Sequence, residues 1–179
     1  MIIKLKALIL FVAGITIISS TAFINSNPDP KSKDTYSLFK IERNRDKDEV
    51  LYDINLDSEG KINIRNPIRI YWIKHTLGGI EENLSWVQRK FGYGLKFFRV
   101  NDSQVIFRFV SHINRDFSLR KNNEGYYKVY TSSNNEIIEV NKLFIQFDGG
   151  TFLSPKVTKV ELHGIDLKTH DHIIEIISP

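Results

Sequence analysis

Cysteine is absent from this sequence of 179 residues. Without it the chain can form no disulfide, no thiolate metal site and no cysteine nucleophile, and it cannot carry the lipidated cysteine of a bacterial lipoprotein. Secreted eukaryotic domains of this size often contain disulfides, so the absence favours a bacterial export product.

A strong excess of one charge sign is also missing. The 25 Lys and Arg residues against 21 Asp and Glu give a formal net charge of +4 at pH 7. Two of the basic residues, Lys4 and Lys6, lie in an N-terminal segment with the features of an export signal, and removing them lowers the net charge from +4 to +2. Such a small imbalance is not typical of a surface that binds phosphates, so we expect no nucleic-acid partner.

Motifs for phosphate binding and serine catalysis are lacking as well. The glycine pairs at 78–79 and 149–150 do not have the context of a phosphate-binding loop, and no Gly-x-Ser-x-Gly elbow is present. Ser111 and His112 are neighbours on a predicted strand, so their side chains would point to opposite faces. The other residues available for a hydroxyl–imidazole arrangement are His75, His163, Ser85 and Ser154.

The N-terminus has the pattern of a secretory signal peptide over residues 1–22. Lys4 and Lys6 precede an apolar run at 7–18, and small residues at 20–22 suit a signal peptidase. The run is shorter than the roughly 20 apolar residues that span a membrane, so we expect cleavage and a periplasmic or secreted product. The alternative is an uncleaved anchor in the inner membrane.

The rest of the chain divides into a tether and one domain. Residues 23–35 contain two prolines and few apolar side chains, which indicates a disordered tether. Residues 36–179 contain no further linker or repeat, so they form a single predicted domain.

Hydrophobic and polar residues alternate through most of this domain, as in strands that bury one face. Turn signals recur every eight to twelve residues or so, the spacing of a sandwich or barrel. We therefore predict a mainly β fold, an antiparallel sandwich or barrel of about eight to ten strands. The main predicted strands are residues 37–43, 50–56, 68–75, 95–100, 105–113, 126–132, 136–140, 143–147, 156–163 and 172–178.

One segment departs from this period. Apolar residues recur there at the spacing of one helical face, at Ile80, Leu84, Val87 and Phe91. Acidic residues in the first turn and basic residues in the last match the helix dipole, and Gly92 could end the helix with a positive φ. We predict one amphipathic α-helix over residues 80–91, packed on the sheet.

Aromatic, amide and cationic side chains are concentrated in and around this segment. Flat apolar surfaces beside guanidinium groups suit an anionic or sugar-like ligand, or a partner surface. The alternative is that Trp72 and Trp86 fill the core and the arginines are solvated. The predicted ligand-binding residues are Arg69, Tyr71, Trp72, His75, Gln88, Arg89 and Tyr93.

The C-terminal strands carry the candidates for catalysis. Glu161 and Glu175 each lie between apolar neighbours, so either could be buried with a raised pKa, and His163 is close in sequence. The alternative is that both carboxylates face solvent. A His170-x-His172 pair could bind a metal with a carboxylate, but it lies in a predicted turn, and we expect neither a metal nor a cofactor.

Several of these segments together resemble an exported bacterial family catalogued as domain of unknown function 4833, common among Bacteroidetes. The resemblance is carried by PIRIYWI from Pro67, WVQRKFGYGL from Trp86, PKV from Pro155 and ELHG from Glu161, and it spans residues 38–179. It implies export, a bacterial envelope setting and a single domain. It brings no established activity or catalytic residue.

These features favour a non-catalytic role, as an exported, envelope-associated module that binds a small ligand or another protein. One alternative is a hydrolase using Glu161 or Glu175 with a histidine. Another is a purely structural envelope protein, which would have neither a pocket nor a polar cluster.

Overall fold

The computed structural model describes residues 36–151 and 155–177. The predicted signal peptide and tether, and Ser154, lie outside the described residues. The described part contains eleven strands, one α-helix and a 3₁₀ turn at His75–Leu77, and no helix in it is long and apolar enough to cross a membrane. The elements are β1 (Ser37–Arg43), β2 (Glu49–Ile54), β3 (Ile68–Lys74), β4 (Ile80–Asn83), α1 (Trp86–Phe91), β5 (Leu95–Val100), β6 (Gln104–Phe109), β7 (His112–Lys121), β8 (Tyr127–Ser133), β9 (Glu136–Gly150), β10 (Pro155–Asp166) and β11 (His172–Ile177).

All eleven strands belong to one sheet, which divides at β9. The strand order is β4-β3-β2-β1-β9-β8-β7-β6-β5, with β10 paired to β9 and β11 paired to β10. The start of β9 pairs with β8 between Glu136 and Glu139, and its middle pairs with β1 between Lys142 and Ile145. Two four-stranded halves therefore leave β9 one after the other along the same edge, while β10 occupies the opposite edge.

The mainly β prediction is confirmed, and the wholly antiparallel pairing is wrong at one place. The pairing of β1 with β9 is parallel, and the remaining strand pairs are antiparallel. Strands β4 and β5 stand at the two ends of the order, and among the described residues no pairing joins them. The sheet is therefore curled and open.

The two halves of the sheet face each other across a single core. Phe39 of β1 stacks on Tyr52 of β2 with ring centroids 4.3 Å apart, and both rings meet the edge of Phe109 from β6. In β2 the alternate residues Val50, Tyr52 and Ile54 are buried, as the two-residue period predicts. Such alternation buries one face of each strand and leaves the other for polar groups.

The predicted helix over residues 80–91 is wrong in its first half. Ile80–Asn83 forms β4, an edge strand paired with β3. The chain reverses into it at Gly78 and Gly79, which both have a φ of +83°, a conformation that glycine adopts without a Cβ clash. The backbone of residues 80–83 bonds to β3 instead of to a helical turn, so the apolar period does not produce a helix there.

The helix that does form is short and lies at the surface. α1 begins at Ser85, whose hydroxyl accepts from the backbone N–H of Gln88 while the Gln88 side chain accepts from the backbone N–H of Ser85, a capping box. None of its six residues is buried, and Trp86 and Phe91 are 66% and 61% exposed. Of the expected apolar stripe, Leu84 just before the helix is buried in the core, whereas Ile80, Val87 and Phe91 are exposed.

After α1 the backbone at Gly94 passes close to the backbone of Arg89 in the helix. Gly92 ends the helix with a φ of −120°, so the predicted positive φ is wrong. At Gly94 an added Cβ would overlap the carbonyl oxygen of Arg89. The absence of a side chain at Gly94 thus lets β5 start directly against the end of α1.

Two strand predictions also change at their boundaries. The predicted strand at 105–113 is interrupted by a turn at Val110 and Ser111, so β6 ends at Phe109 and β7 begins at His112. The predicted strands at 136–140 and 143–147 are one continuous strand, β9.

We predict that Gly94→Ala lowers the free energy of unfolding by about 1–3 kcal/mol, because the new methyl group forces the Arg89 carbonyl and β5 apart. Gly92→Ala is the matched control, since an added Cβ there would lie 3.2 Å from the Gln88 carbonyl oxygen and requires a much smaller displacement than the overlap at Gly94. Urea denaturation of both variants measures the difference. Equal stabilities for the two variants would contradict the close-approach explanation.

Candidate functional site

A cavity of about 350 Å³ lies between α1, β1, the turn joining β6 to β7, and the adjoining parts of β9, β10 and β11. Its wall is mostly apolar because each of these strands turns alternate hydrophobic residues towards it. The apolar residues of the wall include Ile41, Phe109, Phe117, Leu143, Ile145 and Val160.

Arg43, the last residue of β1, contributes a polar group to the cavity wall. Phe39 and Ile41 are buried, and Arg43 follows at the same two-residue spacing. Its Nη2 atom donates to both carboxylate oxygens of Asp46 at 2.7 Å, and its Nη1 atom donates to the Tyr93 hydroxyl at 3.4 Å. Its Nε atom is buried and has no hydrogen-bond partner among the described residues.

The buried side chain of Trp72 packs against the Arg43 guanidinium, on the core side of the cavity wall. The Arg43 guanidinium lies 4.3 Å from the centroid of the indole, and Tyr93 meets the indole edge-on at 5.2 Å. The indole N–H donates to the Gln88 side-chain oxygen at 3.3 Å. The Tyr52 hydroxyl donates to the carbonyl of Tyr93 at 2.7 Å. Gln88 and Tyr93, which line the cavity, are thus held in position by residues of the core.

Arg45 lies at the exposed rim of the cavity. Its Nη2 atom donates to the carbonyl oxygens of Gly149 and Gly150, each at 3.3 Å, and its guanidinium lies 5.3 Å from the Phe147 ring centroid. These contacts orient the guanidinium, which has no carboxylate partner in the described part of the chain.

The Tyr93 hydroxyl stays protonated at neutral pH. Burial raises its pKa above the ordinary value, and the nearby Arg43 only partly opposes this. The hydroxyl can therefore both donate and accept a hydrogen bond at the cavity wall.

The structure brings only two of the seven predicted ligand-binding residues, Gln88 and Tyr93, to the cavity wall. Trp72 is buried behind them, as the core alternative for this residue expected, whereas Trp86 is exposed. Arg89 is exposed on α1 and does not line the cavity.

The other three predicted residues lie elsewhere, in polar pairs. Arg69 pairs with Glu81 at 2.8 Å. Tyr71 donates to Asp53 at 2.6 Å. His75 lies 3.1 Å from Glu49.

The two candidate carboxylates occupy opposite faces of the sheet. Strand register places Glu161 opposite Ile176 and Glu175 opposite Leu162, which is buried in the core. Neither carboxylate lines the cavity. They differ in position and in partners, so they do not form a catalytic pair.

Each carboxylate is already held by a cation or a histidine. Glu161 contacts Lys159 at 2.7 Å and His163 at 3.0 Å, and these hydrogen bonds lower its pKa. Glu175 accepts from both terminal nitrogens of Arg115, one at 2.8 Å, and this contact lowers its pKa, with help from the Ser133 hydroxyl. The prediction that burial raises the pKa of Glu161 or Glu175 is therefore wrong for both residues.

The prediction that the side chains of Ser111 and His112 point to opposite faces of a strand is wrong. Because Ser111 lies in the turn before β7, the strand alternation that would separate the two side chains does not apply, and both residues line the cavity. Among residues 36–151 and 155–177 no three His, Asp or Glu side chains come together as a metal site.

Arg43 and Arg45 were missed by sequence reasoning. The alternation of Phe39, Ile41 and Arg43 could have placed Arg43 on the inner face of β1. No local pattern indicates that residues near position 150 would meet Arg45.

Residues 39–176 match the sequence model of a protein family described as Domain of unknown function (DUF4833). No curated protein and no solved structure matches the chain significantly.

We predict that Glu175→Gln lowers the free energy of unfolding by about 1–2 kcal/mol at neutral pH, because it breaks a part-buried ion pair with Arg115. The folded-state pKa of Glu175 lies below the unfolded value of about 4.3, so the pair stabilises the fold above that pH and its contribution is lost as the pH falls through the folded-state pKa. Denaturant titrations at several pH values measure this.

The matched control is Glu136→Gln, which removes an exposed pair with Lys168 and should change stability much less. A Glu175→Gln penalty that stays constant down to strongly acidic pH would contradict the assignment.

Proposed function

This chain belongs to the DUF4833 family. We propose that it is an exported binding module that takes a small, largely apolar ligand into the cavity beside α1. The cavity itself is the observation that carries the proposal. At about 350 Å³ it falls within the usual size of small-ligand sites, and it combines an apolar wall with a few placed polar groups.

The hydrogen bonds around the cavity support binding by a preformed site. Gln88 is held by Ser85 and Trp72, and Tyr93 is held through its carbonyl and its hydroxyl. Groups that are already oriented lose little conformational freedom when a ligand arrives, which favours affinity.

The alternatives have less support. A hydrolase built on Glu161 or Glu175 would need one of them at a cleft, and both are tied to cations away from the cavity wall. A purely structural protein would have neither a pocket nor a polar cluster, and this chain has a cavity with polar groups in its wall.

We predict that the purified protein binds the neutral dye N-phenyl-1-naphthylamine saturably, and that Val87→Trp weakens this binding at least about tenfold. Val87 lines the cavity and is 38% exposed, so the larger ring can enter the cavity without disrupting the core. Dye fluorescence during titration measures the dissociation constant.

Arg89→Trp is the matched control, because it adds the same ring to an exposed position of α1 that does not line the cavity. It should change dye affinity less than about twofold. The proposal fails if the dye does not saturate, or if the two variants bind it equally.

Export is proposed from the N-terminal sequence. We predict that the protein recovered from a bacterial host begins at Phe23, because small residues at 20–22 suit a signal peptidase. Intact mass spectrometry of the periplasmic fraction measures the new terminus. A full-length product held in the inner membrane would favour the uncleaved anchor instead.

A further inference from the structure

The cavity has an uneven distribution of charge. Its lining contains the cationic side chains of Arg43 and Arg45, and no Asp or Glu among the described residues lines it. A binding surface with cations and no carboxylate disfavours a cationic ligand and favours an anionic one.

The two arginines are not equivalent. The charge of Arg43 is balanced by its two hydrogen bonds to Asp46. Arg45 contacts carbonyl oxygens and an aromatic ring, and it forms no ion pair with a carboxylate in the described part of the chain. Among the described residues the two arginines share one carboxylate partner, Asp46, so one positive charge at this side of the cavity is left without an ion pair.

Lys90 does not line the cavity, but its side chain lies beside two exposed rings of α1, Trp86 at 4.7 Å and Phe91. The Lys90 ammonium is 5.2 Å from the ring centroid of Phe91, which lines the cavity and is 61% exposed. It too has no ion pair with a carboxylate among the residues described. The two cations without a carboxylate partner among the described residues, Arg45 and Lys90, are therefore exposed, and the buried wall of Ile41, Phe109 and Leu143 is apolar.

We infer that the ligand is a free, single-chain anionic amphiphile, with its apolar body in the cavity and its acid group at the rim beside Arg45. This inference rests on the proposed binding function and names the ligand class. The Arg45 Nη2 atom already donates to the carbonyl oxygens of Gly149 and Gly150, so its Nε and Nη1 hydrogens are the ones left to donate charge-assisted hydrogen bonds to the acid group. The small volume limits the apolar body to one short chain.

The test is displacement of bound N-phenyl-1-naphthylamine by three ten-carbon compounds, each kept below its micelle concentration. These are decanoate, the neutral decanol and the cationic decyltrimethylammonium. Decanoate should displace the dye at a concentration at least about tenfold lower than decanol, because of the charge-assisted hydrogen bonds, and decyltrimethylammonium should be the weakest.

Arg45→Gln should reduce the ratio between the decanol and decanoate concentrations needed for displacement from at least about tenfold to near one, each concentration being corrected for the variant's own dye affinity. Arg45→Lys should keep part of the preference, since it keeps the charge and loses the planar guanidinium that Gly149 and Gly150 orient. Arg89→Gln is the control for a loss of positive charge on the surface and should keep the full preference. Thermal unfolding of each variant shows whether the fold is retained.

The outcomes separate the two proposals. If decanol displaces the dye as well as decanoate does, the ligand class is wrong and the binding function stands. If Arg45→Gln keeps the preference, the placement of the acid group beside Arg45 is wrong. If dye binding is absent in the unaltered protein, both proposals fall. If decanoate acts only when incorporated into lipid vesicles, a membrane surface replaces the free amphiphile as the partner.

Discussion

The pairing of two strands along one edge of β9 is the constraint on which the structure depends. β8 pairs with Glu136–Glu139 and β1 with Lys142–Ile145, so the two halves of the sheet diverge from a common strand. Beyond the end of the β8 pairing, alternate residues of β9 no longer have a neighbouring strand from that half beside them. Leu143, Ile145 and Phe147 line the cavity at this place, so the cavity follows from the way in which the sheet divides.

The polar groups of the cavity depend on the same division. Arg43 reaches the wall because β1 runs parallel to β9 and pairs with Ile145. Burial of the indole of Trp72 then provides a flat surface for the guanidinium and a hydrogen-bond donor for Gln88. An arginine half-buried in this way needs a compensating charge, and Asp46 supplies it. Arg45 has no such partner in the described part of the chain, and this difference gives the rim its positive charge.

Sequence reasoning succeeded where the pattern was local and failed where two structures suit the same pattern. The alternation in β2 predicted its buried face correctly. The spacing of Ile80, Leu84, Val87 and Phe91 also fits a helix, but the glycine turn before Ile80 lets residues 80–83 pair with β3, and that pairing prevailed. The aromatic residues around this segment were predicted as one ligand site, yet Trp72 is core and Tyr71 hydrogen-bonds to Asp53, outside the cavity wall.

The sequence by itself determined that the domain is mainly β and that it belongs to its family, because side-chain alternation and motif residues are read along the chain. Only the tertiary structure decided which side chains share a cavity. Arg45 meets Gly149 and Gly150, more than a hundred residues away in sequence, and Arg43 lies next to Ile145. Such contacts are set by the register of a parallel strand pair, and a register between distant strands has no local signature in the chain.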